Sequence, residues 1–300
     1  MKNHSTGKNR STRKELIEKG INGIFFLCGL VSVGFVLAIS IHLVISGLPA
    51  IREIGLVDFL FGAKWLPTAT TTEPAFGILP FIMTSIYGTA GAIVIGVPIG
   101  FMTAVYLSKI ASSKVKSMMQ SAVSLLAGIP SVVYGLVGML VLVPGIRKIF
   151  GVPDGASLLA AIIVLAIMIL PSIIKMSITA LDAVPKEYED ASLALGATPI
   201  ETYFKVSVPA AKSGIAAAVV LGVGRAIGEA MAVMMVAGNV PNMPDSIFQS
   251  VRFLTTAVSS EMAYSSGLQQ QALFSIALVL FLFIMLINAT LNFFLKRETE

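Results

Sequence analysis

Six stretches of the chain run for twenty residues or more with few or no charged side chains, and short polar segments separate them. They are Ile21 to Ile51, Pro74 to Ser108, Ser117 to Ile146, Gly155 to Ile174, Ser213 to Pro244 and Met262 to Leu295. A helix needs roughly 20 apolar residues to cross the hydrocarbon core of a bilayer, so each stretch predicts one membrane-spanning helix. Only the fifth is interrupted, by Arg225 and Glu229. Pro80, Pro98 and Pro130 fall inside stretches and should kink a helix or mark where one begins. Backbone groups freed there must be satisfied inside the protein. Glycines recur at helical spacing (Gly88, Gly91, Gly96 and Gly100; Gly135 and Gly138; Gly222, Gly224 and Gly228). Small residues let membrane helices approach closely, which predicts tight packing within the subunit or, less simply, against a second one.

Composition agrees. Of 300 residues, 56% are hydrophobic and 12% charged, against about 25% charged in a soluble domain. The net charge of +5 calls for no nucleic acid, because membrane proteins keep excess Lys and Arg on the cytoplasmic side. Basic residues cluster in the N-terminal segment (Lys2, Lys8, Arg10, Arg13, Lys14, Lys19) and the second-to-third connection (Lys109, Lys114, Lys116). More lie in the fourth-to-fifth connection (Lys175, Lys186, Lys205, Lys212) and the C-terminus (Lys296, Arg297). The alternate connections hold only Arg52, Lys64, Arg147, Lys148 and Arg252. Both termini are therefore expected in the cytoplasm, as six spans require. The expected layout is a mobile basic tail over 1–20, a first span over 21–51 and a periplasmic loop over 52–73. A five-span core follows over 74–295, with a cytoplasmic loop at 181–214, and then a short tail over 296–300. The first stretch is too long for the core of a cleavable signal peptide. With Cys28 as the single cysteine, neither an intrachain disulfide nor a cysteine metal site can form. The chain also lacks a phosphate-binding loop, since Gly7-Lys8-Asn9 is its only Gly-Lys pair, and it lacks His-Glu-x2-His and Gly-x-Ser-x-Gly. An ATPase, a metalloprotease and a serine hydrolase are thereby excluded.

The loop 181–214 has a legible shape. Pro185 suits a first helical turn, and Glu187, Glu189 and Asp190 follow near the positive end of the helix dipole. Leu181, Val184, Tyr188, Ala191 and Leu195 recur at three- and four-residue steps. Gly196 is placed to end the helix, and Thr198-Pro199-Ile200-Glu201 reads as a capping box opening a second one, which Pro209 should stop. Helix, sharp turn, helix makes a rigid knob of the kind a soluble motor could grip. An amphipathic loop resting on lipid has the same local pattern.

Asp190-Ala191-Ser192, three residues, Gly196, nine residues, then Val206-Ser207-Val208-Pro209 resembles the Glu-Ala-Ala loop of binding-protein-dependent ABC importers. The family pattern is Glu-Ala-Ala, three residues, Gly, nine residues, Ile-x-Leu-Pro. The spacing is identical, and Asp, Ser and two Val are the departures. Further blocks resemble the phosphate-specific permease subunit, the PstC family. They are Phe61-Gly62-Ala63-Lys64-Trp65-Leu66-Pro67, Phe76-Gly77-Ile78-Leu79-Pro80, Leu126 to Leu136, Ala166 to Pro171, and Gly222 to Val233 with Val236-Ala237-Gly238-Asn239. The resemblance implies an all-α membrane protein with six transmembrane helices in the type I (MetI-like) importer permease fold. It implies a role in importing phosphate across the bacterial inner membrane, without catalysis and without a cofactor on this chain; import of another oxyanion, molybdate or sulfate, and a stand-alone ion-coupled carrier are the competing readings. ATP and Mg would sit on two partner ATPases (PstB-like). The other implied partners are a homologous permease (PstA-like), a phosphate-binding protein (PstS-like) and membrane lipid. Glu189, Asp190, Ala191, Ser192, Gly196 and Pro209 would then dock an ATPase.

The charges of the fifth span carry the rest. Arg225 lies about 18 Å into that span, near the middle of a ~30 Å core, where a charge costs at least about 2.5–3.5 kcal/mol unless paired or wet. Glu229 is four residues on and could share a helical face with it. A guanidinium fork suits a tetrahedral oxyanion. Arg225 is therefore expected to meet the anion with Glu229 holding or releasing it; a structural ion pair is the competing reading. Ser131, after Pro130, and Asn239 are further candidates along the path, with helix capping as the plainer role for each. His42 is expected as a packed or interfacial histidine and Trp65 as an interfacial anchor or outer-gate contact.

Overall fold

A computed structural model describes residues 6–68 and 73–297, so residues 1–5 and 298–300 of the expected tails and 69–72 of the expected periplasmic loop lie outside the description. Among the described residues, five helices are long and apolar enough to cross a membrane, and a bent pair raises the count to six. The face carrying the connection near 183–211 is called inner here, following the charge bias.

The first helix, α1 (Thr6–Ile54), is longer than its apolar stretch and runs without a break through most of the basic segment expected as a tail. Its membrane-length part, Glu18–Ile54, has none of its most apolar window buried. Its last turns pack against the C-terminal helix: Ser275 Oγ donates to the Gly47 carbonyl at 2.5 Å, and His42 meets the Phe274 ring edge-on at 5.5 Å. The outer loop after it is more structured than expected. It holds α2 (Leu56–Phe61) and a two-stranded antiparallel hairpin, β1 (Trp65–Leu66) and β2 (Ala75–Phe76), with Trp65 opposite Phe76.

The second span is α3 (Leu79–Val105), which ends in a π turn, Tyr106–Ile110. The third stretch, expected as one helix, is broken at Ile129-Pro130 into α4 (Ser113–Gly128) and α5 (Ser131–Val137). A π turn, Gly138–Leu142, then leads into α6 (Val143–Phe150). Proline cannot donate to the preceding turn, and the residue before it is driven from helical geometry, which is why the break falls there. Ser131–Phe150 is the part of membrane-spanning length and hydropathy.

The bundle is built around α7 (Leu158–Asp182), whose Leu165, Met168, Ile169 and Ile173 are fully buried between α3 and α11 (Lys212–Gly228). The long apolar middle of this helix suits such an interior position. Close approach explains two of the glycines. A methyl at Gly96 would come within 2.7 Å of Ile169, and one at Gly100 within 2.9 Å of Ile173. By contrast, Gly224 and Gly228 face open space, so packing inside this chain does not account for them.

Between α7 and α11 lie α8 (Lys186–Ala194), α9 (Pro199–Thr202), a third π turn (Tyr203–Ser207) and α10 (Val208–Ala210). The Pro199–Ala210 piece meets α11 at 72°. The second helix ends beside Pro209 as expected: Pro209 sits in its last turn and the chain breaks at Ala211. The fifth span is also in two pieces, since α11 ends at Gly228 and α12 (Met231–Val236) begins anew. Beyond it the outer connection returns over the start of α7, where the Gln249 and Ile247 carbonyls accept from Leu158 and Leu159 N–H at 3.1 and 2.7 Å. Those are orphan donors of a helix N-terminus, satisfied by backbone rather than water. The chain closes with α13 (Leu254–Glu261) and the last span, α14 (Gly267–Arg297).

Candidate functional site

Two places concentrate the expected chemistry, one on the inner face and one at mid-span.

On the inner face, α8 ends as its sequence predicts. Gly196 takes φ +88°, its N–H reaches the Leu193 carbonyl at 3.0 Å, and the Ala197 N–H reaches Ser192 at 3.3 Å. This double closure satisfies carbonyls the helix leaves open, and only glycine adopts such a backbone angle without strain. The capping box is also present, with Thr198 N donating to Glu201 Oε2 at 3.1 Å and Glu201 N to Thr198 Oγ1 at 3.3 Å. Ser192 Oγ and Thr202 Oγ1 join the two helices at 2.9 Å. Pro185 stands just before the helix rather than in its first turn.

The apolar face expected of this segment divides. Leu181 and Val184 are buried in the bundle, whereas Tyr188, Leu195 and Ile200 are exposed, Leu195 by 90%. Asp190, Ala191, Gly196 and Pro209 are exposed beside them. Glu189 departs from the expectation, because it turns inward. Its Oε1 accepts from Lys109 Nζ at 2.5 Å and from the buried Ser207 Oγ at 2.8 Å, and Lys109 also donates to the Leu181 carbonyl at 3.0 Å. One carboxylate thus ties the π turn after α3, the end of α7, α8 and the turn before α10. Ser108 and Lys116 hold Asp182 next to it, at 2.6 and 2.7 Å.

Burial works to raise the Glu189 pKa. The hydrogen bonds from Lys109 and Ser207, with the charges of Lys109 and Lys186, outweigh it and leave the carboxyl below its ordinary value. A carboxylate depressed in the folded state adds stability that is complete above its unfolded pKa of about 4.3 and is lost as pH falls through the folded value. Acidification below about pH 4.3 should therefore loosen this loop. The expected result is faster amide exchange over 183–196 in wild type as pH falls, after correction for intrinsic rates, with the pH-dependent part absent in Glu189→Gln.

At mid-span, Arg225 lies thirteen residues beyond the start of α11, about 20 Å along the helix. It lines an open cavity of about 560 Å³ whose other polar residues are Ser172 of α7 and Asn288 of α14. Its Nη1 donates to Ser172 Oγ at 3.4 Å. Arg225 and Glu229 do not pair, because the helix ends between them. Glu229 is extended (φ −73°, ψ 129°), and its Oε1 accepts from the Ala232 N–H at 3.0 Å, capping α12. Its carbonyl accepts from Thr255 Oγ1 at 2.7 Å. The guanidinium thus has no carboxylate partner among the described residues, an arrangement that a bound anion would complete. Ser131 opens α5, one turn before Gly135, which packs on Ala232 and Met235 of α12. Neither Ser172 nor Asn288 stands out in sequence, because single polar residues in apolar helices carry no local signal.

Asn239 is elsewhere. It has φ +53°, and its carbonyl accepts from Arg252 Nε and Nη2 at 3.1 and 2.9 Å. Arg252 pairs with Glu261, which also accepts from Trp65 Nε1 and Gln269 Nε2, each at 3.1 Å. Trp65 is 3% exposed and meets Phe76 and Phe81 edge-on. This outer hub fastens the hairpin, α13 and the end of α12; the sequence shows its members only as scattered outer residues.

The sequence profile described as "Binding-protein-dependent transport system inner membrane component" matches residues 96–298. A Bacillus subtilis protein named probable ABC transporter permease YqgH is 41% identical over 87% of this chain and 86% of its own length. The Haemophilus influenzae phosphate transport system permease PstC is 36% identical over 81% of this chain and 82% of its own. Among solved structures, a chain of a bacterial alginate ABC transporter aligns with a TM-score of 0.62 at 14% identity, over 94% of this chain and 96% of that one. A chain of the MetNI methionine ABC transporter aligns at 0.56 and 22% identity, over 75% and 95%. The chain belongs to the family of inner-membrane components of binding-protein-dependent transport systems: it is a multi-pass ABC importer permease, and its fold is the helical one of that group.

Proposed function

We propose that this permease passes inorganic phosphate inward, with Arg225 as the mid-path contact for the anion. The observation that carries the reading is the unpaired guanidinium of Arg225 in a cavity whose other polar residues are Ser172 and Asn288, all able to donate and none acidic. Such donors match a tetrahedral oxyanion. Relatives named as phosphate permeases, at 33–36% identity in two species, favour phosphate over molybdate or sulfate.

In this reading both termini are cytoplasmic and a second, PstA-like permease completes the path. Two PstB-like ATPases lie beneath, one gripping the exposed knob around Tyr188, Asp190, Leu195 and Gly196. A PstS-like protein delivers phosphate to the outer loops. ATP binding draws the knobs together and turns the path outward, and hydrolysis resets it. Glu229 acts as the cap that keeps the break after Gly228 in place, Ser131 opens the helix that packs on α12, and Asn239 serves the outer hub.

The test is ATP-dependent uptake of labelled phosphate into vesicles holding the four components, competed with arsenate, sulfate and molybdate. Phosphate uptake blocked by arsenate alone is expected. Transport of sulfate or molybdate instead would retain the importer and discard phosphate.

A further inference from the structure

The inner half of the bundle holds a second cation to which passage of the anion by Arg225 gives no task. Lys175 of α7 is exposed from the protein, and its ammonium has no hydrogen bond or ion pair with any described residue. It lies seven residues before Asp182, the inner end of α7, about 10 Å into the helix. A charge at that depth must be paired, wet or reaching for an interface. What faces it decides among these. Lys175 and Thr179 line a cleft of about 290 Å³ with Gln120 and Ser124 of α4 across from them, over a floor of Val123, Ile174 and Ile178. No acidic residue lines it.

The pattern continues beyond the cleft on both helices. Ser117, Gln120, Ser121 and Ser124 recur at three- and four-residue steps and give α4 one polar face. On α7, Ser172, Lys175 and Thr179 recur likewise, and Ser172 is the residue that Arg225 touches. A polar stripe therefore leads from Arg225 toward the inner surface along α7, faced over its inner part by hydroxyl and amide groups of α4. The break at Pro130 makes this geometry available, because it sets α4 apart from α5 as a separate amphipathic piece.

We propose that the Lys175 cleft is an oxyanion-binding way station on the inner leg of the path, receiving a phosphate-type anion after Arg225 releases it. The proposal rests on Arg225 being in the path. One ammonium with neutral donors holds an anion more loosely than a guanidinium fork does, as suits a site that must empty. The phosphate group of an anionic lipid has the same chemistry, so the test separates the two sources.

The whole importer is reconstituted with Cys28, the free cysteine of this chain, replaced by serine and with Ser124→Cys introduced. Modification of this chain by a membrane-impermeant maleimide from the inner side is then timed. Thr179→Cys, on the opposite wall, serves if the first variant does not assemble. In purely zwitterionic vesicles, inorganic phosphate at millimolar concentration should slow modification several-fold, chloride at equal ionic strength should not, and Lys175→Gln should abolish the protection. A thiol that never reacts, one that phosphate does not protect, or protection supplied only by anionic lipid would each overturn the proposal. Arg225→Lys is read in the same vesicles by uptake. Loss of protection with Lys175→Gln while Arg225→Lys leaves uptake intact would remove Arg225 from the path and keep the anion site; the reverse pattern would remove the way station alone.

Discussion

Arg225→Lys is expected to leave the importer assembled and to lower ATP-driven phosphate uptake at least tenfold. The substitution keeps the positive charge, so the cost of inserting α11 is little changed. What it removes is the planar fork. A lysine ammonium is a compact, strongly hydrated point charge, and it cannot present two parallel N–H groups to one oxyanion. Hydrogen bonds to charged groups are worth about 1.5–3 kcal/mol each, so loss of one corresponds to roughly ten- to a hundredfold in rate if it acts at the rate-limiting step. Glu229→Gln is the informative companion, because glutamine retains an oxygen that can accept from the Ala232 N–H, as Glu229 does at 3.0 Å. Uptake close to wild type in Glu229→Gln together with a large loss in Arg225→Lys is the expected pair of results. Equal uptake in wild type and Arg225→Lys would take the guanidinium out of the path.

The second large effect is expected at Lys109. Lys109→Met should leave ATP hydrolysis substantially intact while cutting phosphate moved per ATP several-fold. Lys109 and Glu189 are 10% and 19% exposed, buried enough that a lone carboxylate would be poorly compensated. Removing the ammonium costs on the order of 2 kcal/mol in lost charged hydrogen bonds and frees α8 from the ends of α3 and α7. A knob that still fits its motor but no longer moves the spans wastes the stroke. The check is the ratio of uptake to hydrolysis in reconstituted vesicles, with assembly confirmed by co-purification of the ATPase. A ratio unchanged from wild type would show that the tie is only structural.

How much was legible in sequence depended on whether the signal was local. The order of the spans, the Gly196 hinge and the Thr198–Glu201 box rest on near neighbours and are present, whereas the third and fifth stretches are each broken in two and the sixth candidate span appears only as a bent pair. Pro130 was recognisable as a break. What local rules missed came from distant partners. Glu189 reads as one of three acids at a helix start, and nothing nearby says that Lys109, eighty residues earlier, turns it inward. The spacing of Arg225 and Glu229 fits an ion pair only if the helix continues, and the interruption after Gly228 is not forced by proline. The outer hub needs Trp65, Arg252 and Glu261 brought together by the hairpin, whose first strand lies in the expected loop and whose second falls at the start of a stretch that reads as a span.

The three π turns have a consequence for how relatives should be lined up. A π turn is a helical stretch holding one residue more than α-helical winding needs. In continuous α winding an extra residue would rotate the next segment by about 100°; the wider π turn absorbs it locally. Tyr106–Ile110, Gly138–Leu142 and Tyr203–Ser207 each sit where a helix hands over to another segment. A homologue shorter by one residue at such a point, wound there as plain α-helix, would keep the same fold and the same faces beyond it. Lys109, the partner of Glu189, lies inside the first of these turns. Pairing residues one to one across these positions without a single-residue gap would therefore lose equivalence in space beyond them.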